Sequence, residues 1–437
     1  MSFYYSIEGI AGVVFFLGCS VFTLYHSKRV GSFTTLHFSI VGLATLYGLG
    51  LPLVVHGAWR YHPKGSNFLL ESYDFIVLHT AFATVALAGI FVGWKLFASW
   101  GRRSAATFFN RTSEMVVVPW LFVMLAIAVI AMYFYTRDYG GFNGYFSYSR
   151  LIRSAHFDLV DRSSFSFLKP FGGFATISVI GFWGLILSGN RRLLYYLGFL
   201  LSFVVSGYVL LAFSGRLSML MFISIFPISI AIYRRAKPLT WSILLPISAP
   251  LAVVGIFYIS SFFELKSDVN LEKFVVSEVS FPFIAFFAQF QDGDKFQFFY
   301  HLFVAPLYLL PSTFVGDWLS TASQVNTEII HGAAKGVGGV TAGMPVDLIT
   351  FGLMQFHVLG VFIYAMVFGC MLRGLTCVAG SFASRGMASA FSAYVAIRVG
   401  IFGAFYADPK HFIEGNFAFI ATLLAILAFR SVRLKRS

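Results

Sequence analysis

The sequence predicts an all-α protein, a polytopic transmembrane bundle of about eleven spans, and three observations carry that expectation. Of the 437 residues, 58% are hydrophobic and only 11% charged, with a mean hydropathy of +0.80. A water-soluble domain keeps roughly a quarter of its residues charged, so the solvent for most of this chain is a bilayer. Apolar runs long enough to cross the hydrocarbon core recur along the whole sequence. Finally, runs such as PWLFVMLAIAVIAMYFY are apolar on every side, whereas the strands of a membrane barrel alternate polar and apolar residues.

The first run, 5–25, follows a start without the basic flank or small-residue cleavage site of a signal peptide, so it is expected to be kept as a span. The runs 35–57, 75–98 and 115–135 complete an N-terminal region, 1–135. A polar and basic segment, 136–170, separates it from 171–189, 194–213, 217–233 and 239–261, which form a second region, 171–261. A long segment, 262–356, follows between spans 8 and 9. The C-terminal region, 357–437, holds 357–376, 387–405 and the short run 417–430, then a basic tail, RSVRLKRS.

Loop charge sets the expected orientation. With the N-terminus outside and the C-terminus cytoplasmic, the inner loops hold Lys28, Arg29, Lys95, Arg102, Arg103, Arg111, Arg191, Arg192, Arg234, Arg235, Lys237, Arg373 and Arg385. With the tail they account for more than half of the 31 basic residues, and Glu114 is the carboxylate among them. The formal net charge of +13 is thus topology, and nucleic-acid binding loses its main support. Both long segments fall outside. Segments of that length are usually functional; within the second, PFIAFFAQFQDGDKFQFFYHLF reads as one or two helices in the outer interface, with a re-entrant segment as the alternative.

Several chemistries have no motif. Cys19, Cys370 and Cys377 lie in apolar stretches without CxxC spacing or paired histidines, which leaves no zinc site or disulfide framework. No HExxH, EF-hand spacing or GxSxG occurs, so no metal or other cofactor is expected. The stretch GAAKGVGGVTAG at 332–343 lacks P-loop order; it reads as a flexible loop, or as backbone N–H groups facing an anion.

The charged groups that stand out are cationic. Arg216 lies in FSGRLS, a short break between apolar runs, where a guanidinium must snorkel, pair with a carboxylate or hold an anion. Arg150, Arg153 and His156 recur three apart, on one face if helical, either balanced by Asp158 and Asp161 or facing an anionic head group. Arg398 interrupts the run SAFSAYVAIRVGIFGAFY and is a functional-site candidate by its place in a span, with pairing to a buried Asp as the structural alternative. Asp408, Lys410, His411 and Glu414 just beyond read as a wetted loop. Asn326, Glu328, His331, Asp347 and His357 collect before the ninth span, where a histidine or carboxylate is suited to general-base work and a capping role is the alternative.

The layout resembles the bacterial O-antigen polymerases of the Wzy type and, more loosely, the O-antigen ligases. The resemblance rests on the number of spans, the break at Ser214 to Arg216, and a large late outer loop ending in GVTAGMPVDLITFGLMQFHVLGVFIYAMVFG. It implies a GT-C-like fold in the bacterial inner membrane. It also implies a metal-independent glycosyltransferase of surface-polysaccharide and lipopolysaccharide biosynthesis, which polymerises undecaprenyl-diphosphate-linked oligosaccharide repeat units on the periplasmic face.

On that resemblance Arg216 and Arg398, with Arg150 and Arg153, contact the lipid diphosphate. Asn326 lies near the glycan, His331 or Asp347 near the acceptor hydroxyl, and a chain-length regulator protein is a possible partner. His331 does not stand in the ligases' usual context, which favours polymerase over ligase. The activated donor needs cations for the developing pyrophosphate charge and a base for the incoming hydroxyl, both available here. A flippase of lipid-linked sugars would use the same arginines, but it calls for internal repeats and several charged spans that this sequence does not display.

Overall fold

The computed structural model describes residues 2–53, 65–108, 114–153, 163–214, 216–235, 271–293, 296–310, 319–340, 343–380, 382 and 384–434, and among these every regular element is helical. In chain order the elements are α1 (Ser2–Val30), α2 (Thr35–Ala44), α3 (Gly50–Leu53), α4 (Gly65–Phe108), α5 (Glu114–Arg137), α6 (Gly141–Arg153), α7 (Gly173–Leu187), α8 (Leu193–Val209) and α9 (Arg216–Arg234). Then come α10 (Leu271–Asp292), α11 (Tyr300–Phe303), α12 (Ala322–His331), α13 (Leu348–Gly380), α14 (Arg385–Tyr394), α15 (Phe402–Phe405) and α16 (Pro409–Leu434).

Among the described residues seven helical stretches are long and apolar enough to cross a membrane: Gly9–Val30, Phe75–Phe97, Val117–Arg137, Ser166–Leu187, Leu193–Ala212, Leu348–Gly380 and Arg385–Phe405. The chain is a multi-pass membrane protein. Thr35–Leu49 and Ser218–Arg234, expected as spans, are shorter apolar helices. The expected span 239–261 lies outside the described residues, and the last expected span lies within α16.

Small residues set the closest helix contact. Between apolar helices in lipid there is no hydrophobic drive, so association relies on close backbone approach. α4 and α13 run side by side with Gly89 and Gly93 against the backbone of Phe362 and Met366, and Gly369 against Ile90. Cys370 extends the seam with a contact from Sγ to the Gly93 carbonyl at 3.2 Å.

The long segment differs from the interfacial helix that its mixed composition predicts. In α10, Phe281, Phe283, Ile284, Ala285, Phe286, Phe287 and Ala288 are all buried, and the helix packs against α3, α4, α12 and α13 inside the bundle. Only Ser280 and Gln289 add polar groups to that buried stretch, while Lys273 and Gln291 at the two ends of the helix are exposed.

α13 begins nine residues before the predicted ninth span, 357–376, and is broken at that span's first residue. α13 is broken at Phe356 (φ −151°, ψ 38°) and His357 (φ 54°, ψ −137°). The positive φ at His357 is strained for a residue with a side chain. Beyond it the chain folds back, and Gly352 faces the backbone of Gly360 and Val361. Residues 348–355 therefore form a separate short helix, every residue of it buried, and the spanning helix begins after His357.

Candidate functional site

Among the described residues three helices widen into π turns, a rare form that recurs at functional sites, and each lies at or next to a polar group. The turn Thr45–Leu49 contains Tyr47, Leu210–Ser214 ends just before Arg216, and Val395–Ile401 contains Arg398.

Arg398 bridges two neighbouring helices. Its Nη1 donates to Ser218 Oγ at 3.3 Å, in the first turn of α9, and its Nη2 reaches the Gly415 carbonyl of α16 at 3.5 Å. The guanidinium carbon lies 4.3 Å from the centroid of the Phe402 ring. Among the described residues no carboxylate lies within ion-pair distance, so the expected structural alternative, pairing with a buried Asp, is not what forms. A cation near the centre of a span costs about 2.5–3.5 kcal/mol on insertion scales. Hydrogen bonds between membrane helices average about 0.6 kcal/mol each, and a ring contact adds about 0.5–2 kcal/mol. These contacts offset much of the cost and leave the charge unneutralised.

The bond to Ser218 ties Arg398 to the helix whose first residue is Arg216. α6, which carries Arg150 and Arg153, packs against the π turn Leu210–Ser214, with Tyr208 donating its hydroxyl to the Phe142 carbonyl at 2.9 Å. The elements that carry the four arginines are thus linked in series, through the π turn Leu210–Ser214 and α9. His156, Asp158 and Asp161 lie outside the described residues.

The residues before the ninth span take structural places. Asn326 is fully buried, donates to the carbonyls of Met344 (3.0 Å) and Pro345 (3.2 Å), and accepts from Gln289 Nε2 at 3.0 Å. Asp347 caps the short helix 348–355, accepting from the backbone N–H of Thr350 (3.0 Å) and Ile349 (3.3 Å), and takes the Tyr47 hydroxyl at 2.7 Å. Burial pushes its carboxyl above the ordinary range, against the hydrogen bonds from Thr350, Tyr47 and Ile349, which hold it down. His331 is the last residue of α12, half-buried, before Gly332 in the left-handed conformation (φ 77°) that closes the helix. His79, fully buried, stands 5.5 Å from the Tyr47 ring and 4.3 Å from Phe283, and neither ring nitrogen has a hydrogen-bond partner.

Asp408 departs from the wetted loop that the sequence suggests: it is 1% exposed. One oxygen accepts from Lys410 N (2.9 Å) at the start of α16, and the other from Ser323 N (2.7 Å) at the start of α12. One carboxylate therefore caps two helices, whose positive ends both face it. Burial alone would raise its pKa, but His411 and the Ser323 N–H hold it below the usual carboxylate range. His411 Nδ1 lies 3.9 Å from Asp408 Oδ2 with its side chain 50% exposed.

The buried His301, whose Nδ1 is 3.3 Å from the Tyr308 hydroxyl, is close enough to feel the Asp408 charge. Burial lowers the pKa of His301, opposed by the Asp408 charge. The dipeptide Asp408–Pro409 was the available signal, an N-cap acid with proline at the first helical position. Its link to Ser323, distant in sequence, was not readable.

Asp347 and Asp408 are neighbours through the backbone, since Ala407 N donates to the Val346 carbonyl at 2.8 Å. Among the described residues no group of three His, Cys, Asp or Glu side chains comes together as a metal site. The chain matches no known family model, no curated protein and no solved structure.

Proposed function

We propose that this protein is a membrane glycosyltransferase that polymerises undecaprenyl-diphosphate-linked oligosaccharide repeat units into surface polysaccharide of the O-antigen kind. On this reading it is a GT-C-like bundle of about eleven spans in a bacterial inner membrane, N-terminus outside. The end carrying Asp408 faces the periplasm. The observation that supports the reading most is Arg398, a cation inside a span with no described carboxylate beside it, bonded to the first turn of the helix that Arg216 begins. A diphosphate is the anion that such a forked, permanently charged group suits.

The chemistry follows from charge. A sugar on a lipid diphosphate carries its own leaving group, so the protein's task is to stabilise charge developing on the diphosphate and to take a proton from the attacking hydroxyl. Arg398 and Arg216 serve the first, with Arg150 and Arg153 at the entrance for the head group. The acceptor lies toward the segment that contains His331, while Asn326 and Asp347 hold that segment in place. A chain-length regulator would act on the same outer face.

The test is glycan chain length in cells with and without the gene, on a gel of the surface polysaccharide. Loss of the ladder with a single repeat unit still on its final acceptor supports polymerisation. Loss of every unit from that acceptor contradicts it and points to ligation or transport.

A further inference from the structure

His411 and Gly415 are four residues apart on α16, so they stack on one face of the helix, about 6 Å apart along the axis. His411, Glu414 and Gly415 are all exposed, so the helix presents an open stripe here. Arg398 lies against that stripe: the position a Cβ would take on Gly415 is 3.3 Å from its Nη2. One turn toward the Asp408 end stands His411, with Nδ1 toward the buried Asp408 carboxylate at 3.9 Å. A permanently charged anion holder and a carboxylate-backed histidine thus share one accessible helix face. The two caps fix Asp408 in place, and its charge, 3.9 Å from Nδ1 and so beyond hydrogen-bond range, favours the tautomer that carries its proton on Nδ1 and leaves Nε2 as the basic nitrogen.

We propose that His411 is the catalytic base of the glycosyl transfer and that Asp408 is its positioning residue, an inference that rests on the polymerase reading above. Nε2 of His411 takes the proton of the acceptor sugar hydroxyl as that oxygen bonds to the donor's anomeric carbon. The bond from the anomeric carbon to the phosphate oxygen breaks, and its electron pair leaves with undecaprenyl diphosphate, held by Arg398. The imidazolium then returns its proton to water. The other titratable groups around the pair are His301, Tyr308 and Tyr364, which surround Asp408 from packed elements, and Lys410 and Glu414 on the helix of His411 itself.

The experiment is steady-state polymerisation by the purified full-length protein in nanodiscs, with the lipid-linked repeat unit as substrate, across pH 5 to 9. His411→Ala and His411→Gln should each lower kcat on the order of 10²-fold with KM little changed and with the acid limb of the profile lost. Added imidazole should restore part of the rate to His411→Ala alone. Asp408→Asn should lower kcat less and keep an acid limb, displaced in pH. A His411→Gln protein that turns over within about twofold of wild type with the same acid limb overturns the assignment while leaving the polymerase reading intact. Absence of any polymer from the wild-type protein overturns both.

Discussion

The side chain that Gly415 does without would stand 3.3 Å from Nη2 of Arg398. The guanidinium sits in space that this glycine leaves open, with the Gly415 carbonyl as one acceptor. Gly415→Val should therefore push the head group aside. Since Gly415 is exposed and the helix continues on both sides, the protein should reach the membrane at normal level. The expected outcome is a collapse of long-chain glycan in cells with an unchanged amount of protein by immunoblot.

Arg398→Lys separates charge from geometry. An ammonium keeps the charge but cannot reach Ser218 and Gly415 at once as the two guanidinium nitrogens do. Binding of undecaprenyl diphosphate should weaken on the order of tenfold in the lysine variant and further in Arg398→Ala, by titration in nanodiscs. Equal affinity in all three would remove the diphosphate from this site.

The two buried carboxylates predict opposite pH signatures. Asp408 has a depressed pKa, so its contribution to stability is present above the ordinary carboxylate range and is lost as pH falls through its folded value. Asp347 has a raised pKa, so burying its charge costs stability as pH rises from the unfolded value through the folded one. Asn still caps a helix, so it isolates the charge at each position. Asp408→Asn should lower Tm at pH 7, and the gap to wild type should only begin to close at pH 3, because the folded value lies lower still. Asp347→Asn should be neutral or stabilising at pH 7. Thermal unfolding in detergent at the two pH values measures both.

His79 offers a stability test independent of function. Its ring nitrogens are buried without hydrogen-bond partners, a state that costs about 1–3 kcal/mol. An apolar residue of similar size removes that cost, so His79→Leu should raise Tm by a few degrees. A lower Tm would mean that the ring is held by more than packing.

The spans were legible because their signal is local: Phe75–Phe97 and Val117–Arg137 match the predicted runs to within two residues at each end. Arg398 was legible for the same reason, as a charge inside an apolar run. The reversal at His357 was not: the predicted ninth span starts there, after the polar Gln355, but only the backbone angles reveal that the chain folds back. Nor was the place of α10, whose phenylalanines suit an interface as well as a core until its packing partners are known. Asp408 shows the limit most clearly: the residues Lys410, His411 and Glu414 that follow it suggest a wetted loop, and the contact that buries it comes from Ser323, in another helix.

The central claim is that Arg398 holds the diphosphate of a lipid-linked glycan during polymerisation. Its most direct test is the purified protein in nanodiscs with the undecaprenyl-diphosphate-linked repeat unit as sole substrate, products separated by length. Wild type should give a ladder of multiples, and Arg398→Ala of equal monodispersity only the single unit. A wild-type protein that never extends beyond one unit, or an Arg398→Ala protein with an unchanged ladder, would contradict it.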